Sequence, residues 1–275
     1  MKQSLRGEII MCFALTEPGA GSDANNLATT AVPDGEDYYI LNGRKSFISF
    51  APVADVALVF AKTDASLGTR GISTFLVDMD TPGVSRGAHE NKMGIRGCPV
   101  GDIVLEDVRL HKSQMLGKLN NGYVTAMKTL DLGRVGVSGQ ALGIAQAALD
   151  AAIAYSKDRK QFGRPISKFQ AIAFYLAEMN TKLMAARLML YDTARMIDVG
   201  KPDSTMAAMT KLFVADTAVE VVNTALQVHG GYGYIQDYPI ERMYRDIRIL
   251  PIYEGTSEIQ KLVISKAIIK KGAVR

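Results

Sequence analysis

Asp102-Ile103-Val104-Leu105 is the last in a series of short β-branched runs, and the character of the chain changes soon after it, near residue 115. The earlier runs are Tyr38-Tyr39-Ile40-Leu41, Val56-Ala57-Leu58-Val59-Phe60 and Gly71-Ile72-Ser73-Thr74-Phe75-Leu76-Val77. Gly, Pro and Asp turns separate these runs. The pattern therefore predicts an all-β domain, barrel-like or sandwich-like, over residues 1–114.

Beyond residue 115 the apolar residues recur with the i, i+3, i+4 spacing of helices that pack in a bundle. The predicted helices are Tyr123 to Asp158, Ser167 to Asp198, Ser204 to His229, Ile240 to Ile249 and Thr256 to Lys271. Glycine and proline separate them, for example at Gly163-Arg164-Pro165 and Gly200-Lys201-Pro202. The prediction is a multidomain α and β protein in which residues 115–275 form a four-helix-type, up-and-down bundle.

The composition argues against several classes of function. The 275 residues include 32 basic and 28 acidic side chains, and the net charge of +4 is spread without a basic run, so no nucleic-acid binding is expected. The three histidines and two cysteines lack metal-ligand spacing, so no metal is expected. No signal region and no apolar run of about 18 residues occurs, so no membrane insertion is expected. A reducing compartment, the bacterial cytoplasm or the mitochondrial matrix, fits these features.

A lone carboxylate stands in an apolar run near the end of the chain, in Ile252-Tyr253-Glu254-Gly255-Thr256-Ser257-Glu258. Apolar neighbours disfavour the charged form and raise a carboxyl pKa, which suits a base that abstracts a proton. Thr256 is predicted to be the N-cap of a helix starting at Ser257, and Gly255 to let another molecule approach the backbone. From this heptapeptide alone, a surface glutamate before a helix is an equally good interpretation.

A turn of small residues follows the first predicted strand, in Phe13-Ala14-Leu15-Thr16-Glu17-Pro18-Gly19-Ala20-Gly21-Ser22-Asp23-Ala24. Its backbone amides and hydroxyls are suited to wrapping a flat polar ring or a phosphate. Taken alone, a plain β-turn is the simpler interpretation.

Seven motifs, in the right order along the whole chain, resemble the acyl-CoA dehydrogenase family of flavoproteins, and within it the short-chain, butyryl-CoA-like branch. They are Leu15-Thr16-Glu17-Pro18-Gly19-Ala20-Gly21-Ser22-Asp23, Leu41-Asn42-Gly43-Arg44-Lys45, Lys92-Met93-Gly94-Ile95-Arg96-Gly97, Asp131-Leu132-Gly133-Arg134, Asp158-Arg159-Lys160-Gln161-Phe162-Gly163, Gln227-Val228-His229-Gly230-Gly231-Tyr232-Gly233-Tyr234 and Tyr253-Glu254-Gly255-Thr256-Ser257-Glu258. The resemblance implies a middle β-domain followed by a C-terminal helical bundle. The family's preceding N-terminal helical domain has no counterpart in this sequence.

The resemblance implies that the chain is an FAD-dependent oxidoreductase of fatty acid metabolism that acts in β-oxidation. Glu254 would remove the α-proton of a short-chain acyl-CoA thioester, and the β-hydrogen would leave as hydride to N5 of FAD, giving a trans-2-enoyl-CoA. The backbone N–H of Glu254 and a ribityl hydroxyl of the flavin would polarise the thioester carbonyl.

The same resemblance implies three sets of binding residues. Contacts to the flavin ring and ribityl chain would come from Phe13, Leu15, Thr16, Gly21, Ser22, Phe47, Ile48 and Ser49. The adenosine diphosphate half would be held by Arg159, Gln161, Phe162 and Gln170 of one subunit and by Gln227, Gly230 and Gly231 of another, with Thr256 and Glu258 completing the set. The acyl-CoA would be contacted by Ser22, Asp131, Arg134, Tyr253 and Gly255.

Simpler interpretations remain open for some of these residues. Arg159 is also compatible with a solvated arginine at a helix end, and Gly230-Gly231 with an ordinary helix stop. Asp131 and Arg134, three residues apart, also fit an ion pair on a wet helix surface. In relatives the hairpin over the flavin reads Trp-Ile-Thr-Asn, whereas this chain has Phe47-Ile48-Ser49-Phe50. Phe47 can still stack on the flavin and Ser49 can still offer a hydroxyl, but Phe50 removes polar character.

Partners implied by the resemblance are the acyl-CoA substrate, an electron-transfer flavoprotein as electron acceptor, and copies of the chain in a homotetramer or dimer of dimers. Two other classes of function stay open. The chain could be a fragment or subunit that binds flavin or CoA without turnover, or an acyl-CoA oxidase-like flavoenzyme that passes electrons to oxygen.

Overall fold

The computed structural model describes residues 2–272, without the side chain of Lys271. The chain divides into two compact units, one of Met1–Lys92 and Arg96–Thr129 and the other of Met93–Ile95 and Leu130–Arg275. The division falls inside a long helix, at Thr129 and Leu130, whereas the sequence analysis divided the chain at residue 115. Within the described residues, no helix combines the length and apolar character needed to cross a membrane.

The first unit contains a short helix α1 (Lys2–Leu5) and a seven-stranded sheet. The strands are β1 (Met11–Ala14), β2 (Thr30–Asp34), β3 (Tyr38–Ser49), β4 (Val56–Lys62), β5 (Ile72–Asp78), β6 (Val84–Arg86) and β7 (Val100–His111). Their order is β1-β4-β2-β3-β7-β6, with β5 also paired to β4. β4 runs parallel to β1 and β2, and the remaining pairs are antiparallel.

Apolar side chains at alternating positions build the core of this sheet. Leu41, Phe75 and Ile103, from three different strands, are fully buried. β3 has register irregularities against β7 on both sides of its middle section. At one of them Gly43 approaches Thr29 so closely that a Cβ would lie 2.7 Å from the Thr29 Cα, so only glycine fits there.

The second unit contains the remaining helices and a small hairpin. They are α2 (Gly122–Asp158, whose first residues belong to the first unit), β8 (Lys160–Gln161), β9 (Arg164–Pro165), α3 (Gln170–Asp198), α4 (Ser204–His229), α5 (Ile240–Ile247) and α6 (Ser257–Lys271). Ala141, Ala145, Ala148 and Ala152 form one buried face of α2 and belong to the same apolar cluster as buried residues of α3 and α4. This helical core and the β-sheet confirm the predicted fold class.

Local chemistry explains where the predicted helices begin and end. Asp203 caps α4 by accepting hydrogen bonds from the N–H groups of Thr205 and Met206, and Thr256 caps α6 by accepting one from Ile259. Gly230, at φ 58°, ends α4 as predicted.

Five details differ from the sequence expectations. The segment at Gly163 forms the β8–β9 hairpin rather than a simple break, and Ile166–Lys168 is a 3-10 turn, so α3 begins later than Ser167. Strand β2 was missed because of Pro33, which is tolerated because β2 pairs with β4 only at Thr30. Strand β6, only 3 residues long, was missed as well. α5 ends at Ile247 because Pro251 has no N–H to donate to the Ile247 carbonyl, which accepts from Leu250 instead.

Candidate active site

The turn that carries Glu254 joins α5 to α6 and has an unusual backbone. Glu254 has φ 56° and Gly255 φ 91°, so two consecutive residues adopt positive φ. For a residue other than glycine this conformation costs on the order of 1 kcal/mol or more, and such strain is concentrated at functional sites. The Gln260 side chain donates to the carbonyl oxygens of Glu254 at 3.2 Å and Gly255 at 2.8 Å, while Lys211 Nζ donates to the Gly255 oxygen at 2.8 Å. Side chains of α4 and α6 therefore hold the turn.

The carboxyl group of Glu254 lies in a largely desolvated environment. Burial raises its pKa above the ordinary value, and the nearby charges of Arg134 and Lys211 oppose this rise without cancelling it. A carboxylate with a raised pKa is a stronger base than a solvated one and is better matched to proton transfer near neutrality. This agrees with the environment predicted for Glu254 from the sequence.

Gly133 leaves the space that the Glu254 carboxylate occupies. A Cβ at this position of α2 would lie 2.4 Å from Glu254 Oε2, closer than any real Cβ contact. Glycine inside a helix costs about 0.5–1 kcal/mol relative to alanine, so its presence needs a local reason. Gly133 lies in the Asp131-Leu132-Gly133-Arg134 motif, but no role was predicted for it. A glycine in the interior of a predicted helix was the available signal.

Glycine is required at position 255 for a different reason from the one predicted. A Cβ on it would lie 2.7 Å from the Gln260 amide nitrogen, and its φ is in the region that favours glycine. The contact that requires a small residue is therefore within the chain. An approaching ligand is not needed to explain it.

Asp131 and Arg134 form an ion pair at 2.7 Å, with only 8% of the Arg134 side chain and 25% of the Asp131 side chain exposed. The alternative of a pair on a wet surface is therefore wrong. The second carboxylate oxygen of Asp131 accepts a hydrogen bond from Ser204 at the start of α4. Arg134 Nη2 lies 3.9 Å from the point that a Cβ on Gly255 would occupy, so the structure places this guanidinium beside the Glu254 turn.

Tyr253 is held in place by its hydroxyl group and by its ring. Its hydroxyl donates to Gln140 Oε1 at 2.5 Å, and its ring packs against the helical core. The structure thus gives Tyr253 a packing role that is compatible with a substrate contact.

A cavity of about 520 Å³ lies at the other end of α2 and α4. Its lining comprises Tyr155, Arg159, Gln161, Ile166, Val228, His229, Gly230, Gly231, Tyr232 and Ile235. Arg159 and Gln161 were expected on one subunit and Gly230 and Gly231 on another. They line the same cavity of a single chain, so no second subunit is needed to bring them together.

Four aromatic rings are clustered at this cavity. Tyr155 stacks on His229 at 4.5 Å, and Tyr232 and Tyr238 contact them edge-on or tilted. The His229 Nδ1–H donates to the Ala225 carbonyl at 2.7 Å, and burial lowers the pKa of His229, which favours the neutral ring. The guanidinium of Arg159 lies 5.2 Å from the Tyr232 ring centre. The cavity thus combines aromatic faces, a cation, an amide and glycine backbone, which suit a purine and a phosphate group.

The remaining predicted adenylate residues lie outside the lining of this cavity. Phe162, at the tip of the β8–β9 hairpin, is 92% exposed and contacts only Phe169 edge-on among ring partners in the described chain. Gln170 is the first residue of α3, and Gln227 lies two residues before the end of α4. Thr256 uses its hydroxyl as the cap of α6, and Glu258 is exposed in the first turn of that helix.

In the first unit a buried ion pair supports the small-residue turn. Glu17 Oε1 lies 2.7 Å from Lys45 Nζ, and both side chains are almost fully buried. Glu17 also accepts the backbone N–H groups of Ala28 and Thr29, and Lys45 donates to the Leu15 oxygen at 3.3 Å. Burial lowers the pKa of Lys45 to about 8, against the opposing effect of Glu17. Through these hydrogen bonds, the pair connects the backbone before the turn, at Leu15, and the backbone after it, at Ala28 and Thr29, to Lys45 on β3.

The predicted ring-binding residues lie on this turn and on the end of β3. Leu15 is buried, the Phe13 ring packs at 4.9 Å from the Phe60 ring, and Gly21 and Ser22 are exposed. The N–H of Ser46 donates to the Thr16 oxygen at 2.9 Å.

Two aromatic residues near the end of β3 have strained backbone. Phe47 at φ 57° and Phe50 at φ 65° flank the buried Ile48 and the exposed Ser49. Phe47 is 68% exposed. A strained turn that exposes a large ring is a feature of binding sites rather than of packing.

Known proteins resemble the chain over nearly its full length. The sequence models of the acyl-CoA dehydrogenase middle domain and C-terminal domain match residues 12–108 and 120–269. A 3-(aryl)acrylate reductase of Clostridium sporogenes is 60% identical over 98% of this chain and 71% of that protein, and the caffeyl-CoA reductase-Etf complex subunit CarC of Acetobacterium woodii is 54% identical over the same shares. The solved structure of butyryl-CoA dehydrogenase from Megasphaera elsdenii superposes with a TM-score of 0.95 at 44% identity, covering 97% of this chain and 70% of that one.

Proposed function

Because this chain belongs to the acyl-CoA dehydrogenase family, we propose that it catalyses the α,β-dehydrogenation of a short-chain acyl-CoA thioester, with Glu254 as the base. FAD is the cofactor, and oxidoreduction at a CH–CH bond is the class of reaction. The observation that carries the proposal is the Glu254 carboxyl, desolvated, raised in pKa and given room by Gly133.

The residues present fit FAD in each unit considered separately. In the second unit, Arg159 and Gln161 would bind the pyrophosphate and adenosine, and Gly230 and Gly231 have open space above their backbone in which a phosphate fits. In the first unit, the turn of Thr16 to Ser22 would hold the isoalloxazine and ribityl chain, with Phe47 and Ser49 at its face. Phe162, Gln170, Gln227, Thr256 and Glu258 remain predicted contacts.

The chemistry of this chain's own residues is proton transfer and substrate positioning. Glu254 would take the α-proton while the C–H bonding pair moves to form the α,β double bond. FAD, when bound, accepts the β-hydrogen as a hydride. Arg134, paired with Asp131, would lie beside the thioester portion of the ligand, and its charge limits how far burial raises the Glu254 pKa.

Reduction of 3-arylacrylates or their CoA thioesters is the second candidate. The two relatives named above are a 3-(aryl)acrylate reductase and a caffeyl-CoA reductase subunit, at 60% and 54% identity. The same carboxyl serves this direction, because its protonated form, which burial favours, can give a proton to the α-carbon. The name of the second relative also supports an electron-transfer flavoprotein as redox partner. A homotetramer or dimer of dimers remains a prediction.

Visible spectroscopy under anaerobic conditions distinguishes these candidates. The purified yellow protein is mixed with butyryl-CoA, and the dithionite-reduced protein is mixed with an arylacrylyl-CoA such as cinnamoyl-CoA. Bleaching of the flavin band in the first mixture supports dehydrogenation. Return of the band in the second mixture at a faster rate than the bleaching in the first supports reduction. No change in either mixture would contradict turnover and leave a flavin-binding chain. Rapid reoxidation by air after butyryl-CoA would favour the oxidase alternative.

Gly133→Ala is expected to lower the rate of flavin reduction by at least about tenfold, because displacing a reacting group by about 1 Å costs up to about a hundredfold. The added methyl group would lie 2.4 Å from Glu254 Oε2 and must push the carboxylate away. Stopped-flow absorbance with butyryl-CoA measures the rate.

Gly136→Ala is the matched control for this prediction. Gly136 lies on the same helix, and a Cβ there meets nothing within 4 Å. Both substitutions gain helix propensity of up to about 1 kcal/mol, so a general effect on α2 would alter both variants alike. Equal rates in the two variants would show that Gly133 does not make room for the base.

A further inference from the structure

Lys211 is a fully buried lysine whose contacts lie at the Glu254 turn. It stands on α4 with 0% of its surface exposed, and its Nζ donates to the Gly255 oxygen at 2.8 Å. Lysine is rarely buried completely, because desolvating an ammonium ion is costly unless it is paired or hydrogen-bonded. A lysine that is completely buried at this position therefore calls for a role at the turn.

The hydrogen bond from Lys211 acts on the backbone that sets the direction of the Glu254 side chain. The Gly255 carbonyl belongs to the second of the two residues with positive φ, and it accepts hydrogen bonds from both Lys211 and Gln260 at 2.8 Å. Fixing this carbonyl fixes the peptide planes on which the strained conformation depends. Gln260 approaches from α6 and Lys211 from α4, so the oxygen is held from two helices.

The charge of Lys211 also acts on the carboxylate itself. The charged groups that face Lys211 are Asp216 on its own helix, Arg134 on α2, Glu254 on the turn and Glu258 on α6. The pKa of Lys211 is lowered to about 8, chiefly by burial and also by Arg134, while the three carboxylates oppose both effects. Lys211 is therefore largely protonated at neutral pH, and its positive charge favours the ionised form of Glu254.

We propose that Lys211 is a positioning residue for Glu254: its ammonium group holds the Glu254-Gly255 turn from α4 through the Gly255 oxygen and brings a positive charge to the turn that carries the base. The catalytic consequence rests on the proposed function, whereas the effect on Glu254 itself does not. Loss of the Lys211 charge raises the pKa of Glu254, so the acid limb of the dehydrogenation rate moves to higher pH. As the pH rises through about 8 in the unmodified protein, Lys211 loses its proton and this support is withdrawn.

Carbon-13 NMR of protein labelled at the glutamate δ-carboxyl carbon tests the proposal without turnover. The Glu254 resonance is identified by its absence from Glu254→Gln. In Lys211→Met, its titration midpoint is expected to move up by about half a pH unit or more, because a nearby opposite charge has been removed. Lys182→Met is the matched control, since Lys182 forms an exposed ion pair with Glu220, and it should leave the midpoint unchanged. An unchanged midpoint in folded Lys211→Met would overturn the proposal.

Two further measurements keep the test decisive. Lys211→Gln keeps a donor for the Gly255 oxygen without the charge, so it should shift the midpoint even if Lys211→Met does not fold. In the unmodified protein, the Glu254 resonance should show a second inflection near pH 8, where Lys211 titrates, and the absence of that inflection would also overturn the proposal. If Glu254→Gln kept full activity, the proposed function would fail while these titrations still decided the role of Lys211.

Discussion

Replacing Glu254 with glutamine is expected to slow anaerobic flavin reduction by butyryl-CoA by at least about a hundredfold, the usual scale for loss of a general base. The amide keeps the volume of the carboxyl group in the space left by Gly133, but it cannot accept the α-proton. Stopped-flow absorbance at the flavin band measures the rate.

The flavin content of Glu254→Gln should stay at the unmodified level, because the predicted FAD residues are untouched. Glu220→Gln provides the control, since Glu220 is an exposed glutamate on α4 outside the site. A Glu254→Gln variant that reduced its flavin at nearly the unmodified rate would remove Glu254 from the role of base, whichever direction the reaction takes.

Lys45→Met is expected to destabilise the first unit by about 3–5 kcal/mol, because it leaves the Glu17 carboxylate buried without its cation. Such a loss corresponds to a change of about a hundredfold to several thousandfold in the unfolding equilibrium. Hydrogen exchange at the amides of Ala28 and Thr29, which donate to Glu17, reports on this unit separately from the helical one.

A double substitution separates the pair from other effects of the change. Lys45→Met combined with Glu17→Gln removes both charges and keeps an acceptor for one of the two amides, so part of the lost protection should return. Lys112→Met, which removes an exposed partner of Asp37, should leave the exchange rates unchanged. If Lys45→Met alone exchanged as slowly as the unmodified protein, the buried pair would not be what supports the turn.

Features with local causes could be predicted from the sequence. The cap at Thr256, the stop at Gly230 and the start of α4 after Asp203 depend on residues within one helical turn of the feature, and the structure has all three. The apolar surroundings of Glu254 were predictable for the same reason, since its neighbours in sequence supply part of them.

Features that depend on distant contacts could not be predicted in this way. Gly133, Lys211 and Gln260 act on Glu254 through approaches between α2, α4, α6 and the turn, and nothing near each residue in the sequence specifies its partner. The proximity of Arg159 and Gly230, which were expected to act from two subunits, could not be predicted for the same reason. The ends of α2 and α4 bring them to one cavity within a chain.

The glycine at position 133 also limits how the chain can be made more heat-resistant. Procedures that raise melting temperature favour alanine at glycines inside helices, and α2 has several candidates, including Gly136, Gly139 and Gly143, where a Cβ meets nothing within 4 Å. Gly133 belongs to the same class by secondary structure alone. A library screened for thermal survival would therefore enrich its alanine variant together with the harmless ones, and only a parallel screen for turnover would remove it.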